Sequence, residues 1–233
     1  VREQGTAEQD PHARAWVPAQ AGSAVPRRHS VRGQVLAALR HALVGGELTP
    51  GEVYSAPGLA ERYGVSATPV REAMQQLAGE GAVEVVPNRG FRVAERSSRD
   101  LAELAEVRAM LEVPAVVRLA RALPPERFEA LRPLAEAGVA AAARGDRVGY
   151  AEADYSFHDA LMSLTGNRRL TEVTGDLLRR AQWPPADGSR RRTAELLADA
   201  SEHTALLDAL VAQEYAVAER IAREHVSVAR HPH

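Results

Sequence analysis

The stretch Leu59-Ala60-Glu61-Arg62-Tyr63-Gly64-Val65-Ser66-Ala67-Thr68-Pro69-Val70-Arg71-Glu72-Ala73-Met74, followed by Gln75 to Val86 and then Pro87-Asn88-Arg89-Gly90-Phe91-Arg92-Val93, sets the expected fold. Leu59, Ala60 and Tyr63 place an apolar stripe on a short helix, with Ser55 as cap and Pro57 in the first turn. Gly64 follows where a left-handed residue closes a helix. Ser66 or Thr68 can start the next helix, with Pro69 just inside it. Val70, Ala73, Met74 and Leu77 then recur at i, i+3, i+4 and i+7 and face a core, leaving Arg71 and Gln75 on the opposite side. Gly79 and Gly81 end this helix. Val83, Val85 and Val86 read as one strand, and Phe91 and Val93 as a second, with turn chemistry in Pro87 to Gly90. Helix, turn, helix and basic hairpin together make a winged helix-turn-helix, a module that seats one helix in the DNA major groove. The alternative is a small α/β module that binds protein or nothing; the hairpin behind the helix pair favours DNA.

The candidate DNA-contacting residues are Ser66, Thr68 and Arg71 around the second helix, Asn88, Arg89 and Arg92 on the wing, and Arg40 upstream. Arginines on a projecting hairpin suit phosphate or minor-groove contact. Charge balance gives no help, because residues 30–95 hold 6 Arg against 7 Asp plus Glu. The expected DNA affinity per monomer is therefore modest, and dimerisation matters.

Residues 32–93 resemble the DNA-binding domain of the GntR family of bacterial transcription regulators. The matching words are Val35 to Arg40, Gly46-Glu47-Leu48-Thr49-Pro50-Gly51, Leu59 to Ser66, Thr68-Pro69-Val70-Arg71-Glu72-Ala73 and Pro87 to Phe91. The family usually carries Arg between the Ser and the Thr, where this chain has Ala67. The resemblance implies that loss of this arginine weakens binding or changes the operator, and that Arg71 becomes the main contact.

The chain has 233 residues, room for two domains, and a hydrophobic share of 45% supports real cores. It contains no cysteine, which excludes disulfides, thiolate metal sites and cysteine nucleophiles. All 29 basic residues are arginine, and the net charge is −2. With no apolar run of bilayer-spanning length and no signal-like start, a soluble cytoplasmic protein without membrane contact is expected.

Residues 1–29, rich in Ala, Pro, Gln, Gly and Arg, read as a flexible tail in which Arg27, Arg28 and His29 could touch the DNA backbone. The winged domain takes 30–94, and a short linker 95–99, with Ser98 as a helix cap. From 100 to 230 the pattern is helical, with helices expected near 100–121, 125–144, 147–164, 168–182, 192–212 and 214–230. Pro114 falls inside the first of these and should kink it. The fold class is thus mainly α, a winged helix-turn-helix followed by an antiparallel helical bundle.

A second constellation lies in that bundle. Asp154 and His158 are four residues apart and share one helix face. His203 and His225 sit beside the apolar stripes of two later helices. All four can point inward, where metal sites are built from facing helices. Three imidazoles and one carboxylate suit a divalent metal, Zn first, with Ni, Mn or Fe(II) as alternatives.

This half resembles the FCD ligand-binding domain of the FadR branch of the same family, on Arg108-Ala109-Met110-Leu111-Glu112, Asp154-Tyr155-Ser156-Phe157-His158, Thr165-Gly166-Asn167, Glu202-His203 and His225. The resemblance implies that Asp154, His158, His203 and His225 hold a metal, and that Arg108 binds the carboxylate of an effector. Arg108 could equally pair with Glu112, four residues on. The expected protein is a homodimeric repressor of double-stranded operator DNA, controlled by a small carboxylate metabolite. No enzyme activity is expected. The rivals are a metal-dependent hydrolase, a metal-free sensor of an acyl-CoA-type ligand, and a regulator for which the metal is the signal.

Overall fold

The computed structural model describes residues 31–183, 185–186 and 191–227. The tail residues Arg27, Arg28 and His29, and the end of the last expected helix at 228–230, lie outside them. The winged module contains α1 (Val31–Val44), β1 (Val53–Tyr54), α2 (Ala56–Tyr63), α3 (Ala67–Gly79), β2 (Val83–Val86) and β3 (Gly90–Val93). Ser55 caps α2 by accepting the Gly58 N–H, and Gly64 closes it at φ 64°. Ser66 occupies the N-cap position of α3, but its hydroxyl makes no capping bond.

The sheet has one strand more than the hairpin expected from sequence. Its order is β1-β3-β2, all antiparallel. β1 is two residues long and half-buried, too short to show an alternating pattern. Its pairing explains Gly90, which has φ +127°; a Cβ there would stand 2.3 Å from the Tyr54 carbonyl oxygen. Leu39, Leu43, Leu48, Val70, Met74 and Leu77 fill the core beneath the sheet, and Phe91 and Val93 close it from the wing. Full burial of each such side chain contributes about 1.5–3 kcal/mol.

The helical half comprises α4 (Ser98–Ala122), α5 (Pro125–Glu129), α6 (Arg132–Ala143), α7 (Arg147–Ser163), α8 (Arg168–Gln182), α9 (Thr193–Val211) and α10 (Tyr215–His225). Ser97, rather than Ser98, caps α4, in a capping box with Asp100. α4 runs through Pro114 as one element. The single helix expected over 125–144 is instead two, because Pro133 lacks the N–H that a continuous helix requires and falls in the first turn of α6.

Asp146 caps α7 and Asn167 caps α8, so tight turns reverse the chain between neighbours. α7 packs between α6 and α8, while α9 packs on α6 and α10, and α10 on α4. Phe128, Phe157, Leu161, Met162, Leu207 and Leu210 form the fully buried centre of this bundle. No helix among the described residues is long and apolar enough to cross a membrane.

The two halves touch. Trp183, just beyond α8, is buried in the core of the winged module. The Arg96 guanidinium lies over its ring at 4.7 Å, and the Ala186 N–H donates to the Arg96 carbonyl. His41 Nε2 of α1 lies 2.5 Å from Glu152 Oε1 of α7.

Candidate functional site

Inside the bundle, α7 supplies Asp154 and His158 one turn apart, α9 supplies His203, and α10 supplies His225 from its last turn. One ligand atom from each lies within 4.8 Å of the others. The Nε2 atoms of the three histidines form a nearly equilateral triangle with edges of 3.1, 3.1 and 3.2 Å. Asp154 Oδ1 sits 3.4 Å from His203 Nε2 and 3.7 Å from His158 Nε2. His203 is stacked on Phe157, with centroids 4.3 Å apart, so its ring is held by packing.

The far side of three of the four groups is held as well; His203 Nδ1 is buried without a hydrogen-bond partner among the described residues. His225 Nδ1 lies 2.9 Å from Glu202 Oε2, and His158 Nδ1 lies 3.0 Å from Glu112 Oε2. The first is a hydrogen bond; the second is close enough for an ion pair but poorly aligned. A proton kept on Nδ1 by a carboxylate leaves Nε2 as a lone pair aimed at the shared centre. Gln182 Nε2 donates to Asp154 Oδ2 at 2.8 Å and to the Ala151 carbonyl at 2.9 Å, leaving Oδ1 as the oxygen that faces the histidines.

Electrostatics prepare the same centre. Burial pushes His225 down to about 3, with the nearby His158 acting in the same direction. His203 is pushed well below the usual histidine value by burial and by His225 and His158. Burial opposes ionisation of Asp154, but the three histidines and Arg108 more than offset it and lower its pKa. Glu112 is likewise held ionised against burial, mainly by Arg108. Neutral His203 and His225 beside an ionised Asp154 are protonation states that a cation requires.

The residues fit a divalent cation. The three imidazole nitrogens would supply the donors that a first-row divalent ion takes. Together with one carboxylate oxygen, such a set leaves coordination positions for an outside ligand. Three unprotonated nitrogens about 3 Å apart repel one another unless a proton or cation lies among them.

Glu112, Glu202 and Gln182 were not singled out as part of this centre from sequence. Glu202 directly precedes His203, and Glu112 follows Arg108 by one turn, so both had a signal. Gln182 had none, because its contact depends on how α8 packs on α7. Arg108 is buried, and its Nε and Nη2 donate to the two oxygens of Glu112 at 2.6 and 3.3 Å.

On the winged module, Ser66, Thr68 and Arg71 are exposed along the start of α3, as are Asn88 and Arg89 at the wing tip and Arg92 on β3. Asn88 adopts φ 60° in the hairpin turn, a conformation that asparagine tolerates. Arg92 stands opposite Glu84 in the sheet. Arg40 is half-buried and ion-paired with Glu80 at 2.6 Å, so its guanidinium is tied to the end of α3. Gln76 also donates to Glu80, at 3.1 Å.

Comparison with known proteins matches both halves. Residues 31–93 match the gntR family of bacterial regulatory proteins, and residues 103–228 match the FCD domain. A probable D-xylose utilization operon transcriptional repressor of Paenarthrobacter nicotinovorans is 31% identical over 86% of this chain and 87% of its own length. The HTH-type transcriptional repressor GlaR of Escherichia coli is 28% identical over 81% of this chain and 89% of its own. The solved structure of E. coli McbR/YncC superposes with a TM-score of 0.69 at 29% identity, covering 84% of this chain and 93% of that one. From its recognition-helix module to its histidine-lined bundle, the chain belongs to the GntR family of bacterial transcription regulators and carries an FCD domain.

Proposed function

We propose that this regulator is a homodimeric repressor whose operator affinity is set by a small carboxylate metabolite bound beside a divalent cation in the bundle. The observation that carries the proposal is the buried triangle of imidazole nitrogens closed by Asp154. Asp154, His158, His203 and His225 hold the cation; Zn, Ni, Mn and Fe(II) all suit this donor set. The bound cation supplies a Lewis-acidic position for a carboxylate oxygen. Arg108 adds positive charge next to it, and a direct bond to the effector requires its guanidinium to be shared with Glu112.

Operator contact falls to the exposed set Ser66, Thr68, Arg71, Asn88, Arg89 and Arg92. Arg40 steadies α3 through Glu80. Two-fold symmetry of the protein then favours a two-fold operator. The contacts between the halves supply the coupling: α7 carries two ligands and meets α1 through Glu152, while Gln182 holds Asp154 and the adjacent Trp183 is buried in the winged core. An effector changes operator affinity only by its preference between two placements of these elements. A coupling of about 1–3 kcal/mol gives roughly a 5- to 150-fold change.

The test is elemental analysis of the purified full chain, with operator binding measured on the same samples before and after chelation. About one divalent metal per chain, absent from His203→Ala protein, is the expected result. A full complement of metal in His203→Ala, or a metal-free chain with an unaltered effector response, overturns the proposal.

A further inference from the structure

α4 is apolar on two faces. One face buries Val113, Val116, Leu119 and Ala120 in the bundle. The other is turned to solvent, with Met110 63% and Val107 43% exposed. An open groove of about 780 Å³ runs along this outer face and is edged by Glu219 and Arg223 of α10, which pair with each other at 2.9 Å. An exposed apolar helix face of this kind marks a contact site.

The outward positions name the occupant. Glu103, Val107, Met110, Pro114, Val117 and Arg121 follow one another at alternating steps of four and three, the spacing of a helix–helix seam. Glu103, Val107, Met110, Pro114 and Arg121 are exposed and Val117 is half-buried. The seam is acidic at its start, basic at its end and apolar between. It is also a chemical palindrome about residue 112. Laid antiparallel on a copy of itself, it sets Glu103 against Arg121, Val107 against Val117 and Met110 against Pro114, each pair made twice. A two-fold contact requires this self-complementarity, and an unrelated helix does not.

We infer that the outer face of α4 is the surface on which a second copy of this chain docks, antiparallel, with the two-fold axis near Glu112. The seam extends about 27 Å. The inference deepens the dimeric reading above and rests on it only for the existence of a dimer.

Sedimentation velocity on the full chain tests it. Met110 lies outside the core, so Met110→Asp keeps the fold, as circular dichroism will check. It should raise the dimer dissociation constant by at least about 30-fold, the size of an interface hot spot. Glu103→Arg and Arg121→Glu should each weaken the dimer, and the two together should restore it. The chain has no cysteine, so engineered thiols report contacts cleanly. Val107→Cys protein mixed with Val117→Cys protein should form a disulfide-linked dimer under mild oxidation, well above the yield of either alone. A monomeric wild-type chain overturns the inference. So does a wild-type dimer that tolerates Met110→Asp, or one that gives no cross-link between positions 107 and 117. Metal content and operator binding, read on the same proteins, would in the last two cases leave the sensor reading intact and place the dimer contact elsewhere.

Discussion

Replacing Gln182 by Leu removes the one amide that bridges α8 to the acidic ligand while keeping the side chain near its original size. Gln182 donates to Asp154 Oδ2 at 2.8 Å and to the Ala151 carbonyl at 2.9 Å. Asp154 is buried and held ionised by the histidines and Arg108, so the first of these bonds is charge-assisted. Such a bond contributes about 1.5–3 kcal/mol, and its loss frees the carboxylate to rotate away from the histidine triangle. The expected cost is a 10- to 100-fold loss of metal affinity, the range seen when the outer partners of metal ligands are removed. Competition against a fluorescent chelator measures this directly. Operator binding of the metal-loaded variant should survive, because α3 and the wing are untouched. Its response to effector should shrink, because Gln182 adjoins the tryptophan buried in the winged core. Metal affinity within threefold of wild type in a folded Gln182→Leu protein would refute the reasoning and leave Asp154 positioned by its helix alone.

Glu112→Ala strands the buried Arg108 guanidinium and also removes the partner of His158. We expect about 3–5 kcal/mol of destabilisation in urea melts, whereas an Arg108→Met, Glu112→Leu double variant should recover most of it. In the metal-free protein, His203 and His225 have pKa values below those of the unfolded chain, so unfolding takes up protons. Stability should therefore be complete above about pH 6.5 and fall as pH drops from there toward 3, by at most about 1.4 kcal/mol per pH unit for each histidine; a flat denaturation midpoint across that window would contradict this. Arg71→Ala should weaken operator binding by about 1–3 kcal/mol if it reads a base, or lower the salt dependence by about one counterion if it holds a phosphate, with metal content unchanged in either case.

Much of this protein was legible in one dimension. The recognition-helix module could be read because each of its signals is local: a cap at Ser55, a left-handed Gly64, an apolar stripe from Val70 to Leu77, and a turn at Asn88 to Gly90. The four inward-facing candidate ligands could be proposed because helical periodicity fixes which face of its own helix a residue occupies. What failed locally failed for a physical reason. β1 is two residues long and exists only because β3 offers it an edge. The break before α6 turned on Pro133, one residue in an Ala- and Leu-rich run that otherwise favours helix.

Periodicity cannot say which helices meet, at what height, or which side chains reach across. The bundle brought nitrogens from α7, α9 and α10 within 3.2 Å of one another, backed them with Glu112 and Glu202, and set Gln182 on Asp154. The same packing tied Arg108 to Glu112 and Arg40 to Glu80, and seated Trp183 in a core built from residues ninety or more positions earlier. Local preference acts over one turn or one strand, and so sequence determined the modules and their exposed faces. Contacts between distant segments depend on how apolar faces interlock over the whole chain, and so only tertiary structure decided the shape of the centre and its link to the winged module.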